Sequence, residues 1–239
     1  MLRVGLTGSL GSGKSTAARL FAAHGAHILQ SDAIGRDLMQ PGHAVYAAIV
    51  EHFGNAIVLP DGQLDRPALA KIAFTDGRIE ELNAIVHPAV IARQAELADA
   101  IFRRDPHAVV IVESALIFET NYNEASHNER SEGQPGGKTR WSNRFDRIIL
   151  VTAPEEIKIA RFVARSAAGA ELTETRRAEL EADARRRLAQ QLPDDRKSAL
   201  ADYVLTNSGP IAELEWQVDQ LWPILQTAAM NLLAPARDH

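Results

Sequence analysis

Hydrophobic residues along this chain follow two rhythms. Short, nearly uninterrupted apolar runs occur at Leu2–Thr7 (LRVGLT), Ala26–Gln30, His107–Glu113 (HAVVIVE), Phe145–Thr152 (FDRIILVT) and Asp202–Thr206 (DYVLT). Runs this short that do not alternate with polar residues predict strands buried on both faces. Between them lie stretches of helical periodicity. In Lys14–His24 the apolar residues Ala17, Ala18, Leu20 and Phe21 recur at helical spacing, and a further helix opens near Asp32. Buried strands alternating with helices predict an α/β fold, a doubly wound parallel sheet of about five strands with helices on both faces.

Two stretches break the rhythm. Residues 42–104 hold several helical patterns and a turn at Pro60-Asp61-Gly62 but no convincing strand, which predicts a helical insert between core strands. Thr120–Asn143 is polar, includes QPGGK and lacks periodicity, which predicts a long loop. Glu171–Gln191 carries many charges at helical spacing. It reads either as a solvated helix face or as a lid whose arginines meet phosphate. The expected organisation is one domain over 1–229. Its core is 1–41, 105–160 and 200–229, with the insert at 42–104, the polar loop at 120–143, a lid at 161–192 and a tail at 230–239.

Composition narrows the classes. The 239 residues suffice for one well-buried core. Cysteine is absent, which excludes disulfides, Cys-ligated metals and thiol catalysis. Lys plus Arg is 26 and Asp plus Glu is 31, so the net charge of −5 argues against a large sequence-blind nucleic-acid footprint. No apolar run reaches the roughly 18 residues of a transmembrane helix. The glycine-rich start, MLRVGLTGSLGSGKST, does not read as a signal peptide. The expectation is a cytoplasmic protein with neither membrane nor nucleic-acid partners.

The candidate chemistry begins at Gly8-Ser9-Leu10-Gly11-Ser12-Gly13-Lys14-Ser15, which fits G-x-x-x-x-G-K-[ST]. A polyphosphate must be wrapped closely by backbone N–H groups, and glycines at positions 8, 11 and 13 leave room for that. The match follows a predicted strand and opens a predicted helix, whose positive end faces the phosphates. Gly11, Ser12, Gly13, Lys14, Ser15 and Thr16 are therefore the candidate ATP-binding residues. Lys14 meets the β- and γ-phosphates, the Ser15 hydroxyl ligates Mg²⁺, and Thr16 supports the α-phosphate end.

The loop alone does not name the reaction. No guanine-reading N-K-x-D string occurs. A small domain of this kind with a helical insert and an arginine-rich helix suits a kinase of a small acceptor, which needs a lid against water. Asp32, after the second strand, is either a proton acceptor for an attacking hydroxyl or a helix N-cap. Glu113 ends an apolar strand, where it either serves Mg²⁺, directly or through water, or is a solvated strand end.

Ordered blocks of residues add to this. They are Gly5-Leu6-Thr7-Gly8 running into the phosphate loop; Ser31-Asp32-Ala33 with Pro41-Gly42; Phe53-Gly54; Asp61-Gly62-Gln63-Leu64-Asp65-Arg66 with Leu69; His87-Pro88; Leu116-Ile117-Phe118-Glu119; and Ala201-Asp202-Tyr203-Val204 with Asn207-Ser208-Gly209. In this order they resemble the dephospho-CoA kinase family, from Leu2 to about Leu225 apart from the polar loop. The resemblance implies a P-loop NTPase fold whose helical insert binds the acceptor. It implies transfer of the γ-phosphoryl group of ATP to the ribose 3′-hydroxyl of dephospho-CoA. It makes Asp32 the catalytic base, and His87, Leu116 and Glu119 acceptor-site candidates. Arg161 and Arg165 match an R-x-x-x-R pair at the lid entrance, one turn apart on one helix face, suited to a developing phosphoryl charge. Arg187 and Gln191 fit an R-x-x-x-Q lid segment. The chain departs from the family at Glu113-Ser114-Ala115, where Asp-x-Pro is usual. A kinase of another small acceptor, such as a nucleoside monophosphate, is the alternative.

Overall fold

Each apolar run forms a strand. They are β1 (Leu2–Thr7), β2 (His27–Gln30), β3 (Val109–Glu113), β4 (Arg147–Thr152) and β5 (Tyr203–Thr206). The structure, a computed structural model, describes residues 1–119, 143–167 and 172–232. The expected polar loop, except Asn143, and residues 233–239 of the expected tail lie outside the described residues.

The strands form one sheet in the order β2-β3-β1-β4-β5. β1 is central. It pairs parallel with β3, Leu2 opposite Val109 through Leu6 opposite Glu113, and parallel with β4, Val4 opposite Arg147 through Thr7 opposite Leu150. β4 pairs parallel with β5. Burial on both faces holds for β1, β3 and β4 but not for β2 and β5, whose residues are largely exposed or half-buried. The cause is position, since both lie at sheet edges. At the last residue of β5, Gln217 covers Thr206, accepting from its N–H and donating to its carbonyl, each at 2.8 Å.

Two compact units make up the chain, Met1–Ile28 with Ile101–His239, and Leu29–Ala100. The first carries helices α1 (Lys14–Ala23), α6 (Glu155–Ser166), α7 (Glu174–Ala189), α8 (Asp194–Leu200) and α9 (Ile211–Asn231). Its main core joins Leu2, Val4 and Leu6 of β1 to Ala17, Ala18 and Phe21 of α1 and to Leu214, Val218, Leu221 and Leu225 of α9. A second cluster joins Ile159, Phe162 and Val163 of α6 to Leu180 and Ala184 of α7. The charged face of α7 is solvated and paired along its own helix, as in Arg176–Glu179 (2.9 Å) and Arg187–Asp183 (3.0 Å).

The second unit begins at Leu29, ahead of the boundary at 42 expected for the insert. It takes in α2 (Ser31–Leu38), α3 (Ala44–Phe53), α4 (Arg66–Ala70) and most of the long α5 (Ile79–Arg104). Val45, Ile49, Ile57, Leu64 and Leu69 form its core, with Leu82, Ile85 and Val86 of α5 packed against them. The reason α2 belongs here is visible at Gly35, which is buried and would bring a Cβ only 3.6 Å from Val90 and 3.9 Å from Val86. The side chains of Ser31 and Gln94 are also hydrogen-bonded (2.8 Å). Among the described residues, no helix is long and apolar enough to cross a membrane.

Candidate active site

The loop between β1 and α1 is shaped by what surrounds it. Gly11 and Gly13 sit at φ 72° and 98°, a left-handed backbone that side chains disfavour. A Cβ on Gly13 would lie 2.0 Å from the Asn207 side-chain nitrogen, and one on Gly11 would lie 2.3 Å from the Lys158 carbonyl. These glycines therefore clear the protein behind the loop, a requirement additional to the phosphate clearance expected from sequence. α1 opens directly after Gly13, with no acidic residue in its first turn. The positive end of its dipole faces the loop, which favours an anion there.

Several of the candidate side chains gather around this arc. Lys14 Nζ donates to the carbonyls of Gly8 (2.8 Å) and Ser9 (3.2 Å). Ser15 Oγ donates to Glu113 Oε1 at 2.6 Å. The register that sets Glu113 beside Leu6 delivers this carboxylate to the mouth of the loop. Glu113 is buried, so it is not a solvated strand end. Thr16 accepts a long hydrogen bond from Arg19 (3.4 Å). Arg161 grips Asn207 twice, donating to its backbone carbonyl (2.9 Å) and side-chain oxygen (3.3 Å). Asn207 in turn donates to the Ser12 carbonyl (2.9 Å). Arg161 thus stands beside the loop, while Arg165, one turn on, is exposed and stacks with Arg187 on the Phe162 ring.

The acceptor-site candidates divide between the units. Glu119 Oε1 lies 2.7 Å from the fully buried Lys197 ammonium and accepts from the Leu192 N–H (3.2 Å). The Leu116 N–H donates to Ser114 Oγ (3.3 Å). Asp32 and His87 belong to the second unit. Asp32 lies exposed in the first turn of α2, whose N-cap is Gln30, so the alternative of Asp32 as the N-cap does not hold. His87 is half-buried and precedes Pro88 inside α5, not at a helix boundary.

Sequence reasoning missed Asp194. Its Oδ1 accepts from Ser9 Oγ, and its Oδ2 accepts from Thr152 Oγ1 and from the buried Lys158 ammonium. Burial pushes its pKa up, but the bonds from Lys158, Ser9 and Thr152 outweigh that and hold the carboxyl below the usual value. It also missed the Lys197–Glu119 pair. The only available signals were an Asp after Pro193 and a Lys in a charged stretch, neither of which points to a partner.

Similarity to known proteins agrees with this geometry. The CoaE dephospho-CoA kinase family model matches residues 2–129. A dephospho-CoA kinase of Streptomyces avermitilis is 37% identical over 93% of this chain and 93% of its own length. The chain belongs to the dephospho-CoA kinase family. A Thermobifida fusca dephospho-CoA kinase is 34% identical over 95% of this chain and 97% of its own. A Mycolicibacterium paratuberculosis dephospho-CoA kinase is 38% identical over 93% of this chain, which spans 47% of that longer protein. Among solved structures, TT1252 from Thermus thermophilus superposes with a TM-score of 0.66 at 29% identity, covering 94% of this chain and 97% of that one. A dephospho-CoA kinase from Campylobacter jejuni gives 0.62 at 20% identity, covering 95% and 98%, and shares the fold.

Proposed function

We propose that the protein transfers the γ-phosphoryl group of ATP to the ribose 3′-hydroxyl of dephospho-CoA, giving coenzyme A and ADP. The observation that carries the reading is the hydrogen bond from Ser15, beside Lys14 at the start of α1, to Glu113 at the end of β3, in a chain of this family. Such a site acts by positioning and electrostatics, because phosphoryl transfer needs no covalent enzyme intermediate.

The loop N–H groups and the Lys14 ammonium hold the phosphates, Lys14 exchanging the Gly8 and Ser9 carbonyls for phosphate oxygens. The Ser15 hydroxyl and Glu113 carboxylate are hard oxygen donors already in contact, a fit for Mg²⁺. Bound there, the ion would neutralise charge on the β- and γ-phosphates. Arg161 stabilises the transferring group from its anchor on Asn207, and Arg165 is the further candidate. Asp32, with a solvent-exposed carboxylate, accepts or orients the proton of the attacking hydroxyl. His87, Leu116 and Glu119 are assigned to the acceptor side, and the reaction is placed in the cytoplasm.

The test offers MgATP with dephospho-CoA, nucleoside monophosphates or pantothenate, reading ADP release and product mass. ADP release only with dephospho-CoA, with a product heavier by one phosphoryl group, is the expected result. Release with a different acceptor would replace the substrate while leaving the loop's role intact.

A further inference from the structure

The phosphate loop has an inner arc, Gly13 to Ser15, and an outer arc, Ser9 to Gly11. The inner arc carries the chemistry proposed above. The outer arc is gripped from outside by α6 and by the junction of α7 with α8. Asp194 accepts from Ser9 Oγ, and its other oxygen holds Thr152 at the end of β4 and Lys158 on α6. Gln191 Oε1 accepts from the Leu10 N–H (3.0 Å). The Leu10 side chain packs on the cluster of Phe162, Val163, Leu180 and Ala184. The Lys158 carbonyl faces Gly11 so closely that no Cβ fits between.

Nothing in local structure requires Asp194 to do this. Pro193, not Asp194, is the N-cap of α8, and both Asp194 oxygens turn to other elements. Ser9 and Lys158 are themselves buried, so water is a poor substitute partner for either. A carboxylate so placed ties strand, helix and loop together through charge-assisted hydrogen bonds. Loop amides bind phosphate well only if they already point at it, since ordering a loop on binding weakens affinity.

We infer that Asp194, acting through Ser9 and assisted by Gln191 at Leu10, is a positioning residue that holds the phosphate loop in its ATP-binding shape. The inference rests on reading this loop as the ATP site. Its effect falls on the nucleotide and not on the acceptor.

The test measures equilibrium ATP binding without any acceptor, and Michaelis constants for ATP and dephospho-CoA, in Asp194→Asn, Ser9→Ala and the double variant. Asp194→Asn weakens ATP binding about tenfold, the weight of one charge-assisted hydrogen bond. Because the two residues act as one unit, the double variant is weakened little beyond Asp194→Asn alone. The Michaelis constant for dephospho-CoA stays within about twofold. A purely structural role would lower the thermal midpoint and leave ATP affinity in the folded variant unchanged, and that result overturns the inference. So does a double variant whose loss is the product of the two single losses. If Asp194→Asn does not fold, Ser9→Ala decides alone, and ATP affinity within about twofold of the unaltered protein overturns the inference. Failure of the unaltered protein to bind ATP would overturn the site reading with it, whereas normal binding by the variants overturns the inference only.

Discussion

Lys14 shows how little a motif residue owes to stability. Its ammonium bonds two carbonyls of its own loop at a partly exposed position. Lys14→Ala is expected to keep the thermal midpoint near that of the unaltered protein. It should lose about 10²- to 10³-fold in kcat/KM, the loss typical of removing one preorganised electrostatic group. Asp32→Asn is expected to bind ATP normally and to lose about 10²- to 10⁴-fold in kcat, as for loss of a general base. Undiminished turnover in Asp32→Asn would remove it from the chemistry. Gly13→Ala combines an unfavourable φ with a Cβ driven into the Asn207 amide. It is expected to destabilise the protein by about 1–3 kcal/mol and to abolish detectable ATP binding, read by urea unfolding and titration. Lys14, Ser15 and the glycines were visible in sequence as one motif because local spacing defines it. Asp194 and Lys197 were not, because their partners lie far away along the chain, at Ser9 and Glu119.

At the scale of elements, a helical glycine behaves in the opposite way. Gly35 is buried in α2, does not carry a positive φ, and would meet Val90 and Val86 at ordinary contact distances. Gly35→Ala is therefore expected to stabilise the protein by about 0.5–1 kcal/mol, seen as a raised thermal midpoint. The pairing of α6 with α7 rests on Phe162, Val163, Leu180 and Ala184, while Arg176 and Arg187 of α7 pair with Glu179 and Asp183 of the same helix. That is why a charge-rich sequence still forms a packed hairpin of helices. The strand runs could be read almost to the residue. The exposure of β2 and β5 could not, since edge or centre is a property of sheet order and not of composition.

At the scale of the molecule, buried ion pairs link remote segments. Lys197 is fully buried against Glu119, so Lys197→Ala leaves an unmatched carboxylate and is expected to cost about 3–5 kcal/mol in urea unfolding. Asp194 supplies an acid response. Its folded pKa lies below the ordinary 3.8, so its stabilisation is complete above that value and is lost as pH falls through the lowered one. Below about pH 4, the unaltered protein should lose stability more steeply than Asp194→Asn, measured by urea midpoints across pH. The alternation of strands and helices, the phosphate loop and the ordered blocks that mark the family are all written in the primary structure. These are encoded in hydrophobic period and in backbone demands that act over a few residues. Folding in three dimensions is what joins α2 to the second unit, brings Glu113 to Ser15, and sets Asp194 and Asn207 against the loop. Those contacts depend on strand register and helix packing, which bring together residues that no local pattern connects.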